Sequence, residues 1–223
     1  MSIDLEFHSI VEGDSELTTT VWRVGPGRRA ISSAMLGGGL GPVGWVINAQ
    51  VPGDYARMDP IDHLHEMAAA HRLSGRGVGM LTAASVSRTV TCTDSGVTAS
   101  ATVGLRVPTW AAAPAEVRDP ELAPIVPGTI NITVDLPVAF TDAALVNAVM
   151  TVTEAKSQAL IEAGYPATGT ASDAVVVVAY REGVPEVFAG PRSEWGGAMA
   201  RAVHAAVRRG ADDYTRLLRD GGL

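Results

Sequence analysis

The segment from Pro127 to Ala179 constrains the fold of this chain more than any other. A β-branched run, Ile130 to Leu136, meets Pro137, a residue that cannot donate to a sheet ladder. Thr141 and Asp142 then supply the side chains favoured at a helix start. Unbroken helix-forming sequence follows as far as Gly164. A loop of small polar residues, Thr168 to Asp173, leads into Ala174–Ala179, a second apolar run of strand length. Two strands joined by one helix make a βαβ unit, and its polar residues fall where the chain turns. This predicts an α/β fold, with α+β as the alternative, built on a mixed β-sheet with packed helices.

The rest of the chain supports a compact protein. It has 223 residues, 47% hydrophobic and 18% charged, a balance suited to a buried core and not to disorder. We expect one domain over 1–223. Strands are predicted over 3–8, 18–24 and 29–35, and again from Trp45 to Val51. A glycine-rich loop lies between, at Leu36 to Pro42. Asp59-Pro60 reads as a helix start, with the helix running to Leu73 ahead of Gly75. Three β-like runs follow near 78–82, 85–92 and 96–103, and Pro108 to Pro127 reads as an irregular connection. Ser193 is placed to cap a last helix from Trp195, in which Met199, Val203 and Val207 form one apolar stripe. The strand, proline, capped helix and strand of the first half echo those of the second, so a duplicated pair of β-α-β halves is an open alternative to chance likeness.

Charge and cysteine usage narrow the function classes. A net charge of -7 with a pI near 5.2 leaves no basic stripe to neutralise phosphates, so no nucleic-acid partner is expected. The lone Cys92 cannot close an intrachain disulfide, and Met1 to Phe7 contain no apolar leader core; a cytoplasmic location is expected. No apolar run spans a bilayer, so no membrane association is expected either. His63, His65 and Glu66 invite a metal reading, but on a helix the two histidines point about 200° apart. No metal and no cofactor are therefore expected.

Four polar residues of the long helix, Asn147, Thr151, Glu154 and Gln158, share one face at 3.6 residues per turn. The rest of that helix is apolar almost all round, which predicts burial. The stripe either bonds neighbouring loops or faces a polar cleft, and Glu154 is its acid–base candidate. If the flanking strands are parallel, Thr129, Thr170, Ser172 and Asp173 cluster at their shared amino end. Ligand sites of parallel sheets normally lie beyond the carboxyl ends, where Thr141 and Asp142 stand with a capping role open to them. The Gly37-to-Gly41 run lacks the features of a phosphate loop and reads as a tight loop or a pocket wall.

Several blocks, taken together and in order, resemble the adenosylcobinamide amidohydrolase family. They are SSAMLGGG, INAQVPGDY, GVGMLTAASV, PGTINITV, TDAALVNAVMTVTEAKSQAL, TGTASDAVVVVA and FAGPRSEWGGAM, spread over most of 29–205. The family loop usually reads Gly-Thr-Gly-Thr-Asp, whereas this chain has Gly169-Thr170-Ala171-Ser172-Asp173. The resemblance implies hydrolysis of the amide that joins aminopropanol to a corrin propionyl arm, giving adenosylcobyric acid for cobamide (vitamin B12) salvage. Amide hydrolysis needs an attacking oxygen, a proton donor for the amine and donors for the oxyanion. On that implication Glu154 or Asp173 is the base, and Thr129, Thr170 or Ser172 a hydroxyl donor or covalent nucleophile. Backbone N–H groups of Gly128 to Thr129 or of Gly169 to Thr170 would bind the oxyanion. Gly37, Gly38, Gly39, Asn131, Asn147 and Thr151 would contact the corrinoid, with Trp45, Trp110 or Trp195 at the cleft edge. The cobalt belongs to the substrate. Hydrolysis of another amide and non-catalytic corrinoid carriage are the alternatives, and a homo-oligomer is left open.

Overall fold

A computed structural model describes residues 3–12, 15–116 and 128–221. The strands are β1 (Glu6–Glu12), β2 (Ser15–Arg23), β3 (Arg28–Ser32), β4 (Gly39–Pro42), β5 (Trp45–Gln50), β6 (Gly77–Thr82), β7 (Val90–Asp94), β8 (Val97–Val103), β9 (Ile130–Ala139) and β10 (Ala174–Tyr180). The helices are α1 (Pro60–Ala70), α2 (Asp142–Glu162) and α3 (Glu194–Arg219). Strands β1-β2-β5-β6 form a four-stranded sheet, and β4-β3-β10-β9-β8-β7 a six-stranded one. Both sheets are mixed, because β5 runs parallel to β6 and β9 parallel to β10 while the other pairings are antiparallel.

Side-chain alternation sets the layering. On β9 the residues Ile130, Ile132, Val134 and Leu136 join Val175 and Val177 of β10 in the core beneath α2 and α3. The opposite faces of the two sheets meet through Trp22, Val46, Val78 and Met80 on one side and Ala30, Val176 and Val178 on the other. Val21, Trp45 and Ile47 turn outward to Leu64 and Ala68 of α1. The order is therefore helix, sheet, sheet, helix pair. Each sheet carries one β-α-β unit, β5-α1-β6 and β9-α2-β10, with its helix on the outer face.

Local chemistry explains most boundaries. Thr141 and Ser193 accept hydrogen bonds from Ala144 N–H and Gly196 N–H and cap α2 and α3. Asp59 precedes α1 but its carboxylate is held by Arg57 instead of capping. α1 stops at Ala70, earlier than expected, because Arg72 turns to positive φ. Pro137 does not end β9; the strand continues to Ala139, and the pairing with β10 jumps from Val178↔Asp135 to Tyr180↔Ala139 around the proline. Strand β4 forms within the expected glycine loop. The run at 85–92 is split into a 3-10 turn, Val86–Arg88, and β7. The expected connection at 108–127 falls partly outside the described residues, as its part from 117 on is not described.

α2 departs from the expected all-round burial. Val146, Met150 and Ile161 are more than half exposed, so the helix packs on one side only.

Candidate active site

The strand ends bring several of the motif blocks to one end of the molecule, while the glycine-rich loop runs along β6 towards its amino end at Gly77. β3 is antiparallel to β10, so its carboxyl end lies beside the amino end of β10; there Ser33 Oγ accepts from Val175 N–H at 3.0 Å. The chain then crosses to the other sheet, where Gly79 N–H donates to Leu36 O at 3.1 Å. Gly37 makes that crossing feasible. Its φ is +72°, and a Cβ there would lie 2.0 Å from Gly77 O. A Cβ on Gly38 would lie 2.4 Å from Ala34 O. Gly39, with open space around it, begins β4.

The carboxyl ends of the parallel pair β5 and β6 arrive at the same end. Val51 N–H donates to Thr82 O at 2.9 Å, and Gln50 Oε1 accepts from Val86 N–H at 3.1 Å. Asn131 reaches across from β9, donating to Asn48 Oδ1 at 2.7 Å and to Leu81 O at 3.2 Å. The amino ends of β9 and β10 thus meet the carboxyl ends of β5 and β6. At this end the first β-α-β unit provides carboxyl ends of parallel strands, beyond which ligand sites of such sheets normally lie.

At this junction stand the residues flagged from the second unit. Thr129 is buried, and its Oγ1 is 2.8 Å from the Oγ of exposed Ser172. Asp173 carries a dense set of donors. Its Oδ2 accepts from Lys156 Nζ at 2.5 Å and Thr170 N–H at 3.1 Å, and its Oδ1 accepts from Ile130 N–H at 2.9 Å and from the Thr170 hydroxyl. Gly169 is small for this reason, since a Cβ there would lie 2.3 Å from Asp173 Oδ2 and 2.6 Å from Lys156 Nζ. The loop is tied outward as well: Thr109 N–H donates to Gly169 O at 2.8 Å, and Thr168 N–H to Thr109 O at 3.0 Å. Exposed Trp110 follows directly, beside the loop. Next to Gly128 a depression of about 80 Å³ opens between the 83–88 loop and α3.

The polar stripe of α2 does not reach this cluster. Asn147 Oδ1 accepts from Ala189 N–H at 3.0 Å and Thr151 Oγ1 donates to Ala189 O at 2.9 Å, so these two residues pin the start of α3. Glu154 and Gln158 are exposed in a groove between α2 and α3, with Arg201 and His204 opposite. Glu154 and Lys156 are two residues apart and face opposite sides of the helix. Glu154 and Asp173 therefore belong to two different places. Trp45 is a core residue against α1, and Trp195 is partly buried against the main core. His63 stacks on Tyr55, with Tyr55 Oη 2.9 Å from its Nδ1, and Glu66 is held by Arg57. Among the described residues no three His, Cys, Asp or Glu side chains are grouped as a metal ion would require, and no helix is long and apolar enough to cross a membrane.

Sequence reasoning missed Asn48 and, although it counts Lys156 with Glu154 and Asp173 as favouring an enzyme, gave Lys156 no role. Lys156 was masked by its position inside an apolar helix, and Asn48 by its place in a strand of ordinary pattern. Lys156 lies within the TDAALVNAVMTVTEAKSQAL block and Asn48 within INAQVPGDY, which was the available signal.

A protein of Methanosarcina mazei named adenosylcobinamide amidohydrolase is 30% identical over 192 residues, covering 81% of this chain and 88% of its own length. One of the same name from Halobacterium salinarum is 32% identical over 195 residues, covering 84% of this chain and 81% of its own. The family model described as adenosylcobinamide amidohydrolase matches residues 5–219, and this chain belongs to that family.

Proposed function

We propose that the protein hydrolyses the amide of adenosylcobinamide, releasing aminopropanol and adenosylcobyric acid for corrinoid salvage, and that the reaction occurs where the two parallel strand pairs meet. One observation carries this reading. The segments at 33, 48–50, 81–86, 128–131 and 169–173 lie far apart in sequence yet converge on one polar cluster beside an open depression.

Exposed Ser172 meets the scissile carbonyl, with buried Thr129 holding its hydroxyl in place. Asp173, reached through the Thr170 hydroxyl, takes the proton of the attacking Ser172 oxygen and returns it to the departing amine; water, deprotonated by the same route, then cleaves the acyl group from Ser172 as the acid. Lys156 holds the carboxylate in position. Because Thr170 N–H is committed to Asp173, the oxyanion role goes to the Gly128–Thr129 backbone. Trp110 offers a face to the corrin ring. Glu154, in the α2/α3 groove, takes no part. The corrinoid is the only small-molecule partner proposed, with no nucleic-acid partner at a net charge of -7 and a cytoplasmic setting for the thiol of Cys92.

The test is incubation of the pure protein with adenosylcobinamide, following adenosylcobyric acid and aminopropanol by mass spectrometry, beside Ser172→Ala and Asp173→Asn. Product from the natural chain and its loss in both variants is the expected result. Tight binding without product would replace catalysis with corrinoid carriage.

A further inference from the structure

The chemistry above uses only the Gly128 edge of the depression. Its floor is backbone: a Cβ on Gly128 would lie 2.7 Å from Gly104 O, and one on Gly104 2.6 Å from Ala84 Cβ. α3 forms one wall and comes close because residue 210 is glycine, where a Cβ would meet Val103 Cγ2 at 2.6 Å. Tyr214 and Leu217 continue that wall. Across the rim the Arg88 guanidinium donates to Asp213 Oδ2 at 2.7 Å, and Arg216 lies 3.3 Å from Asp213 Oδ1. Asp213 is partly exposed, so its oxygens retain lone pairs directed to solvent.

We propose that this depression is the recognition site for the adenosyl group of the corrinoid, which rests on the reading of the neighbouring cluster as the amide-cleaving centre. Three features favour a nucleoside over the corrin ring itself. A corrin with its amide arms is broad and rigid, whereas the depression is walled by the 83–88 loop, the glycine floor and α3. A glycine floor, with Tyr214 and Leu217 on the wall and Val103 and Arg106 also in the lining, suits a planar purine. A rim carboxylate can accept from both vicinal hydroxyls of a ribose at once. Thr129 follows Gly128 directly, so a nucleoside seated here is a neighbour of the scissile amide and the two groups are read by one molecule in one pose.

The experiment measures binding, not turnover, so that it stands apart from the catalytic reading. Equilibrium dialysis of adenosylcobinamide and of dicyanocobinamide, which lacks the adenosyl group, is run on the natural chain, on Leu217→Trp and on Asp213→Ala. The expected result is tighter binding of the adenosyl form by the natural chain. Both substitutions should weaken that form by about tenfold or more while leaving the cyano form within about twofold. Equal binding of both corrinoids by the natural chain, parallel weakening of both by the variants, or no change in either would overturn the proposal. Failure of turnover with this discrimination intact would refute the catalytic reading alone.

Discussion

Replacing Asp173 by Asn, Lys156 by Met, and both together tests whether the loop at 168–173 is ordered by charge. The two side chains are only 10% and 9% exposed, and Asp173 has four donors around its two oxygens. Lys156→Met leaves three of those donors in place, so its cost should sit near the low end for a charge-assisted bond, about 2 kcal/mol. Asp173→Asn strands a buried ammonium and weakens the bonds from Ile130 and Thr170, and about 3–5 kcal/mol is expected. In a chain of this length each kcal/mol shifts the melting temperature by about 2–4 °C, so Asp173→Asn should melt about 6–20 °C lower. The double variant leaves no unpaired charge and should fall short of the sum by about 1–3 kcal/mol. Urea unfolding followed by circular dichroism at constant m-value measures all three. Additivity of the two single effects would show that the pair does not couple, and the account of the loop would then be wrong.

Three further outcomes follow from the geometry. Ser172→Ala and Thr129→Val should lower kcat for adenosylcobinamide about 100-fold or more, whereas Glu154→Gln should leave it within about twofold; initial rates separate the cases. Asp94, bonded by Arg201 and Ser95, has its carboxyl pKa lowered from 3.8 to about 2. A depressed folded value stabilises the fold above about pH 4, and this contribution is lost as the pH falls towards about 2. The gap in melting temperature between the natural chain and Arg201→Ala should therefore close across that window. Thr141→Ala and Ser193→Ala remove the caps of α2 and α3, and each should cost about 1 kcal/mol in denaturant unfolding.

The second β-α-β unit was legible because each of its signals is local: β-branched alternation at 130–136, a Thr cap at 141, a glycine stop at 164. The division of strands between two sheets was not. β3 pairs with β10 and β4 with β3, whereas β2 and β5, their neighbours in sequence, lie in the other sheet. That choice is made by long-range pairing and by the crossing at Gly37, and no local propensity encodes it. The same limit explains the site. Thr129, Thr170, Ser172 and Asp173 could be grouped once β9 and β10 were taken as parallel. The stripe through Glu154 could not be assigned, because helical periodicity gives the face but not its neighbour. Asn147 and Thr151 proved to face Ala189, and Lys156, on the other side, proved to face Asp173.

The crossing at Gly37 also bears on how the protein reaches its native state. Helix α2 is closed by local contacts, but the junction needs strand ends from both sheets, joined across nearly the whole sequence. Chains whose contacts are distant in sequence fold slowly, because loop closure precedes any gain from the contacts. During refolding, helical signal should thus return well before the ability to bind a corrinoid. A cell making this protein would hold, for that interval, a chain with much of its secondary structure and no assembled junction.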